Sequence, residues 1–101
     1  MPMRCERESG ALTFYVSGEV DHHGAKGLMA RIDDELEEAH PGPVTVDLSG
    51  VSFMDSSGIA VLLRVYRRAG ELGSGVTVRG APDQAMKVLR AAGLSRLMRF
   101  E

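Results

Sequence analysis

The stretch LTFYVSGEVDHHGAKGLMARIDDELEEA, residues 12–39, decides the fold class because its hydrophobic period changes partway along. Leu12, Phe14 and Val16 alternate with more polar neighbours, which is typical of a half-buried β-strand. After this strand, apolar residues recur at helical spacing: Ala25, Leu28, Met29, Ile32, Leu36 and Ala39. The acidic residues between 33 and 38 lie outside that stripe and are interpreted as a solvated helix face. The stretch therefore predicts a strand that leads into an amphipathic helix.

The same alternation of periods continues to the C-terminus and predicts the element order β-β-α-β-α-β-α-β. The predicted strands are residues 3–7, 12–16, 44–48, 76–78 and 97–100. The apolar stripes of the predicted helices lie at residues 25–39, 59–66 and 85–92. Pro41 is expected to end the first helix, and residues 49–55 are expected to form a loop. Because strands that alternate with helices become parallel neighbours through right-handed crossovers, we expect a small mixed α/β sheet with helices packed on it, opened by an antiparallel hairpin.

Composition limits what a chain of 101 residues can be. It carries 12 Lys and Arg against 14 Asp and Glu, a net charge of -2, which disfavours an electrostatic nucleic-acid binder. Cys5 is the only cysteine, so an internal disulfide framework and a zinc site made of cysteines are excluded. No apolar run approaches the length of a membrane span, and the N-terminus lacks the apolar core of a signal peptide. These features favour a single domain, residues 1–101, in the reducing cytoplasm.

The first candidate site is Asp55-Ser56-Ser57-Gly58, directly before the second predicted helix. Asp and Ser are favoured at helix N-caps, so a single capping side chain is one interpretation. Three consecutive capping residues exceed what one helix needs, and Gly58 in the first turn leaves the backbone open to close approach. An exposed serine beside unpaired N–H groups at a helix N-terminus also suits a phosphate. Capping and a modified or ligand-contacting serine therefore both stay open at this position.

The second candidate site is GEVDHHG, residues 18–24, before the first helix. Asp21 is suited to capping that helix. A metal site built from Asp21, His22 and His23 is disfavoured because adjacent histidines rarely share a metal and no third His lies nearby. A Ser-His-Asp hydrolase assembled from Ser56, His22 and Asp21 lacks a Gly-x-Ser-x-Gly elbow. We therefore expect no metal, no cofactor and no catalytic residue in the chain.

Both candidate sites resemble known motifs. GEVDHH, residues 18–23, and FMDSSGI, residues 53–59, resemble the two signature segments of the STAS-domain anti-sigma factor antagonists, a bacterial family of the sporulation and general-stress type. The resemblance runs from about Leu12 to Phe100 and so covers nearly the whole chain. The DSSG segment after a hydrophobic strand is specific for the STAS fold, whereas GEVDHH is more specific for its phosphorylatable members.

The resemblance implies a partner-switching regulator of transcription. In its unphosphorylated form such an antagonist binds an anti-sigma factor, which is also an ATP-dependent serine kinase, and thereby releases the sigma factor. The kinase, which binds the ATP, phosphorylates the antagonist and ejects it, and a PP2C-type phosphatase restores the binding form. Ser56 matches the family's acceptor serine, Ser57 the neighbouring Ser/Thr position, and Asp21 the acidic loop residue. The expected partner-binding residues are Asp21, His22, Asp55, Ser56, Ser57 and Gly58.

The sequence departs from the family at its C-terminus. Members of this type usually continue into another helix, whereas this chain stops at Glu101, so a domain without that helix is expected. One alternative stays open within the fold: a STAS interaction module of the stressosome or lipid-transport type, in which Ser56 is not phosphorylated. An alternative of another class is a nucleotide-binding or hydrolytic protein that uses Ser56 and Asp21. The leading prediction is a non-enzymatic cytoplasmic antagonist with no nucleic-acid or membrane partner.

Overall fold

The computed structural model describes residues 3–39 and 42–101, which form strands and helices in the predicted order. In chain order the elements are β1 (Met3–Glu8), β2 (Ala11–Val20), α1 (His22–Ala39), β3 (Val44–Met54), α2 (Ser57–Glu71), β4 (Val76–Arg79), α3 (Asp83–Ala91) and β5 (Arg99–Phe100). A short 3₁₀ turn at Leu94–Arg96 joins α3 to β5. Pro41, the expected end of the first helix, lies outside the described residues.

The strands form one mixed sheet in the order β1-β2-β3-β4-β5. β1 pairs antiparallel with β2, as the predicted hairpin requires, and the other neighbouring strands are parallel. Valines are frequent in the paired centre, where Val46 of β3 lies opposite Phe14 of β2 and Val78 of β4. Because β2 and β3 run parallel, both end at the same edge of the sheet, with Val20 opposite Met54.

The helices pack on the sheet face that presents Leu12, Phe14 and Val16, and the core lies between them. The predicted stripe of α1 is buried at four positions: Ala25, Leu28, Ile32 and Leu36. Met29 is half-buried, and the side chain of Ala39 lies outside the described part of the chain. Burying a large aliphatic side chain contributes roughly 1.5–3 kcal/mol, so this face holds the helices in place and fixes where their N-termini lie.

Ion pairs join α1 to α2 on the solvent side. Arg64 of α2 donates to Asp33 of α1, with Nη2 and Oδ2 2.6 Å apart, and Arg68 contacts both Asp33 and Glu37. The acidic face of α1, predicted to be solvated, is therefore also partly paired with the basic residues of α2. Each such part-exposed pair contributes only about 0–1 kcal/mol, but the group helps to keep the two helices side by side.

Two sequence predictions about element ends are wrong. Residues 49–55 are not a loop, because β2 is long enough to pair with β3 from Val44 as far as Met54. Two register shifts in this pairing mark an irregular ladder, and its polar and glycine residues hide the strand in the sequence. Ala92, expected in the buried stripe of the third helix, is exposed because α3 ends one residue before it.

The C-terminal segment also differs from its prediction. The strand expected at 97–100 contains only Arg99–Phe100, and Leu97 is 46% exposed. In place of Leu97, the 3₁₀ turn directs Leu94 and Met98 into the core. That spacing is helical, so the strand prediction holds for Arg99 and Phe100 and is wrong for residues 97 and 98.

The sheet face opposite the core is polar. One row of paired residues crosses four strands: Arg4, Tyr15, Asp47 and Arg79. Asp47 is buried among its neighbours and accepts bonds from the Ser49 N–H at 2.9 Å, the Ser49 hydroxyl at 2.6 Å and Arg79 Nε at 2.9 Å. Burial raises the pKa of the Asp47 carboxyl, but the hydrogen bonds outweigh burial and hold that pKa below its usual value. Hydrogen bonds therefore order this face.

Candidate functional site

The two candidate sites meet at one edge of the sheet. Val20 and Met54 are paired as the last residues of neighbouring parallel strands, and the N–H of Asp55 donates to the carbonyl of Val20 at 3.1 Å. Asp21 and Asp55 therefore leave the sheet side by side, each leading into a helix. The predicted residues of both motifs lie at the carboxyl ends of strands, where the functional loops of parallel sheets are found.

At the first junction Asp21 caps α1. Its Oδ1 accepts the N–H groups of His23 and Gly24, both at 3.1 Å, and its carbonyl accepts the N–H of Ala25 at 3.1 Å. The N–H groups of His23 and Gly24 are orphan donors of a helix N-terminus, so the capping interpretation of Asp21 agrees with the structure. His22, the first residue of the helix, is exposed beside this cap.

At the second junction the capping role falls on Asp55 and not on Ser56. Oδ1 of Asp55 accepts the N–H of Ser57 at 2.7 Å. The bond from this N–H is the main reason that the pKa of the Asp55 carboxyl lies below its usual value, and the nearby charge of His22 adds to the effect. Ser56 itself has helical angles, φ −61 and ψ −15, and its side chain makes no capping hydrogen bond. The Ser56 hydroxyl is thus exposed and has no part in starting the helix.

The N–H groups beside Ser56 are already bonded, which corrects one expectation from the sequence. Besides the bond from Ser57, the N–H of Gly58 donates to the carbonyl of Asp55 at 3.0 Å. The N–H of Ile59 donates to the carbonyl of Ser56 at 3.1 Å. A phosphate on Ser56 would have to displace the Asp55 carboxylate to reach the Ser57 N–H, so the turn is not a ready anion cradle.

Gly58 is a packing residue, not an open piece of backbone. It is buried, and a Cβ added to it would lie 2.4 Å from both Cγ and Sδ of Met54. Met54 is itself only 1% exposed, so the close approach comes from within the chain. Gly58 therefore shapes the site by letting α2 sit directly on the end of β3.

Phe53 is a site residue that the motif contained but that the sequence interpretation did not single out. It is 45% exposed and is paired with Glu19 of β2, one position before the strand ends. Met54 beside it points into the core, so strand alternation turns Phe53 to the opposite side. An exposed aromatic ring two residues from Asp55 gives this edge an apolar element that a partner protein can bury.

Gln84 is the second residue that sequence reasoning missed. Its Oε1 accepts the N–H of Met54 at 2.8 Å, and its Nε2 donates to the carbonyl of Met54 at 2.7 Å. β4 ends at Arg79, so the side-chain amide from α3 pairs with β3 where no residue of β4 reaches. The residue type carried no signal in the sequence, because only the placement of α3 brings it there.

The residues considered for a metal site, Asp21, His22 and His23, have other contacts in the structure. Across residues 3–39 and 42–101, no group of three or more His, Cys, Asp or Glu side chains is placed to hold a metal ion. The rings of His22 and His23 lie 6.1 Å apart, and Oδ1 of Asp21 is bonded to backbone N–H groups. None of the helices in the described part of the chain is long and apolar enough to cross a membrane.

Comparison with known proteins gives a family match over nearly the whole chain. Residues 3–99 match the family described as Mlab, STAS domain. The anti-sigma F factor antagonist of Paenibacillus polymyxa is 26% identical over 98 residues, covering 97% of this chain and 84% of that protein. The intermembrane phospholipid transport system binding protein MlaB of Escherichia coli strain K12 is 32% identical over 82 residues, covering 81% of this chain and 80% of that protein.

Solved structures share the fold. The anti-sigma factor antagonist SpoIIAA in its unphosphorylated form matches with a TM-score of 0.85 at 22% identity, covering 99% of this chain and 88% of that one. The Bacillus cell fate determinant SpoIIAA in the phosphorylated form matches with a TM-score of 0.76 at 22% identity, covering 99% of this chain and 91% of that one. These matches confirm the predicted fold.

Proposed function

Because the chain belongs to the STAS domain family, we propose that it acts as an anti-sigma factor antagonist that is switched off by phosphorylation of Ser56. Members of the antagonist family are generally non-enzymatic binding modules, and the similarity to the Paenibacillus polymyxa antagonist extends over 97% of this chain. The observation that carries the proposal is the exposed Ser56 hydroxyl, which stands at a helix N-terminus without capping that helix.

The partner in this proposal is an anti-sigma factor that is also a serine kinase. It would dock on the edge where β2 and β3 end, and contact Asp21, His22, Asp55, Ser56 and Ser57, with Gly58 holding the backbone beneath them. The exposed ring of Phe53 supplies apolar area for this contact. Docking at this edge displaces the sigma factor by competition for the kinase, so the antagonist needs no catalytic group or cofactor of its own.

Phosphorylation would use ATP that the kinase binds. The Ser56 Oγ attacks the γ-phosphorus, the bond from that phosphorus to the β-phosphate oxygen breaks, and ADP leaves. The hydroxyl proton passes to a base that the kinase supplies. The structure favours this acceptor because the Ser56 side chain is exposed and makes no capping bond, whereas Ser57 is half-buried and its N–H is bonded to Asp55.

The phosphate would act on the interface more than on the fold. It adds a charge of about −1.5 to −2 beside the carboxylates of Asp21 and Asp55. The first-turn N–H groups are already bonded within the chain, so most of this charge faces the partner. Repulsion and desolvation then weaken docking, while Ser56 stays exposed and the core is untouched. A PP2C-type phosphatase would restore the binding form, and the exchange would take place in the cytoplasm.

Binding measurements on substituted chains test this switch. We expect Ser56→Ala to bind the anti-sigma factor kinase within about twofold of the unmodified chain, because the hydroxyl has no structural role. Ser56→Asp should bind roughly 5–150-fold more weakly, since it places a carboxylate where the phosphate would lie. Isothermal titration calorimetry measures both affinities.

Ser95→Asp is the matched control, because Ser95 is exposed in the 3₁₀ turn and receives the same change of charge. It should bind like the unmodified chain. Equal binding by Ser56→Asp and Ser56→Ala would contradict the electrostatic switch.

The similarity to MlaB supports a second candidate function, a protein-binding module of a phospholipid transport system. In that role the same edge would dock on a transport component, and the charge at position 56 would not control binding. Side-by-side titrations with the anti-sigma factor kinase and with the purified phospholipid transport complex of the same cell distinguish the two. Binding to the transport complex alone, with equal affinity for Ser56→Ala and Ser56→Asp, would favour the second function.

A further inference from the structure

The backbone just before Ser56 is held from both sides. On one side the N–H of Asp55 donates to the carbonyl of Val20 in β2 at 3.1 Å. On the other side the Gln84 side chain of α3 accepts the N–H of Met54 at 2.8 Å and donates to its carbonyl at 2.7 Å. Two bonds in opposite directions to one residue imitate a strand neighbour and fix both the position and the orientation of that peptide segment.

We propose that Gln84 is a positioning residue that sets the place of the Ser56 hydroxyl through the backbone of Met54. The inference rests on the proposed phosphorylation of Ser56. Met54 ends β3, and the next residue, Asp55, caps α2 through the N–H of Ser57. Ser56 lies between Asp55 and Ser57, so the position of its hydroxyl depends on the backbone that Met54 and Asp55 fix. A third element, α3, thereby takes part in presenting the acceptor.

The contact is suited to positioning more than to stability. Gln84 is exposed in the first turn of α3, whereas the helix is anchored to the core by Ala85 and Leu89. Alanine at position 84 keeps helix propensity, and water can replace both bonds to Met54. What water cannot replace is the fixed geometry, because two independent waters do not hold the donor and the acceptor of one peptide segment in register.

The loss of this geometry should appear in the rate of phosphoryl transfer. With the anti-sigma factor kinase and ATP, we expect Gln84→Ala to lower kcat for phosphorylation of Ser56 about tenfold, because a misplaced acceptor is less often aligned for attack. KM should change less than about twofold, since the docking residues at the ends of β2 and β3 are unaltered. Gln84→Glu keeps the acceptor for the Met54 N–H but, when ionised, cannot donate to the Met54 carbonyl. Its kcat should therefore lie between those of the unsubstituted chain and Gln84→Ala.

Lys87→Ala is the matched control, because Lys87 is exposed on the same helix, whereas both bonds to the Met54 backbone come from Gln84. It should leave kcat unchanged. An unchanged kcat for Gln84→Ala, or an equal fall for Lys87→Ala, would overturn the positioning role while leaving the phosphorylation of Ser56 intact.

Amide hydrogen exchange measured by NMR tests the inference without the kinase. In Gln84→Ala the N–H groups of Met54 and Ser57 should exchange about tenfold faster, while that of Val46 in the core stays as in the unsubstituted chain. Unchanged exchange at Met54 and Ser57 would overturn the inference, as would faster exchange at all three. If the unsubstituted chain accepts no phosphate, the proposed function fails, and the exchange result alone still decides whether Gln84 fixes this segment.

Discussion

At the β2–α1 junction Asp21 caps a helix that begins with the next residue, whereas at the β3–α2 junction Ser56 stands between Asp55 and the first residue of the helix. Both aspartates accept first-turn N–H groups, so both helices start from the same chemistry. The difference is the residue that follows the capping aspartate, which is His22 at the first junction and Ser56 at the second. In the second junction that residue has helical angles, is exposed and makes no capping bond.

This comparison shows how a fold can free a side chain for regulation. The capping side chain at each junction is committed to the helix, and removing it would cost about 0.5–2 kcal/mol. The exposed residue that follows the cap does not take part in capping, so it can be modified without unfolding the domain. The first junction serves as an internal reference for the second, and substitutions at both can break or sharpen the comparison.

The largest expected effect concerns how tightly each helix sits on its strand. Gly58→Ala should destabilise the protein by about 1–3 kcal/mol through overpacking. The higher helix propensity of alanine offsets up to about 1 kcal/mol of this loss. The net loss is expected because the new Cβ would lie 2.4 Å from Cγ and Sδ of Met54, a side chain that is only 1% exposed and packed in the core. Urea unfolding measures the free energy.

Gly27→Ala in α1 is the matched control, because a Cβ added there meets nothing within 4 Å. It should stabilise the protein by about 0.5–1 kcal/mol. If both substitutions stabilise the protein equally, the close packing of α2 on Met54 is not a constraint.

A smaller effect is expected at the cap of the first junction. Asp21→Ala should lower the free energy of unfolding by about 1 kcal/mol, because the N–H groups of His23 and Gly24 lose their acceptor. Asp21→Asn keeps a side-chain oxygen and should lose less than half of that. Ser56→Ala should have no measurable effect on unfolding by the same method. A loss at Ser56 as large as at Asp21 would mean that the two positions do not differ.

The smallest expected effect is the pH dependence at Asp55. Its pKa lies below the ordinary value, chiefly because the Ser57 N–H donates a hydrogen bond to the carboxylate. A carboxyl with a lowered pKa in the folded state adds stability above its unfolded pKa, about 3.9, and loses that stability as the pH falls through the folded pKa. Asp55→Asn should therefore flatten the acid limb of the stability profile measured by thermal unfolding between about pH 5 and 2. An acid limb as steep as that of the unsubstituted chain would contradict the assignment.

The sequence predicts the parts of the fold that follow from local period. The stripe from Ala25 to Leu36 and the alternation from Leu12 to Val16 specify a helix and a strand whatever their neighbours are. The full length of β3 could not be predicted, because Val44–Met54 is a strand only where β2 is long enough to pair with it. The 3₁₀ turn before β5 was missed because Leu94 and Met98 read as unrelated apolar residues until the turn brings both into the core.

For the site, the convergence of Asp21, Asp55 and Ser56 could be predicted because the carboxyl ends of neighbouring parallel strands lie together. The assignment of the cap to Asp55, and not to one of the serines, depends on backbone angles that the sequence does not reveal. The role of Gln84 could not be predicted, since its contact with Met54 spans 30 positions of the chain and is made by a side chain with no motif around it.

The most direct test of the account is to map the phosphate after incubating the unsubstituted chain with the anti-sigma factor kinase and ATP. Intact-mass spectrometry counts the phosphates and peptide fragmentation locates them. We expect one phosphate, on Ser56, and none on Ser57, which is half-buried and whose N–H is bonded to Asp55. Phosphate on Ser57, or a chain left unmodified by the active kinase, would contradict it.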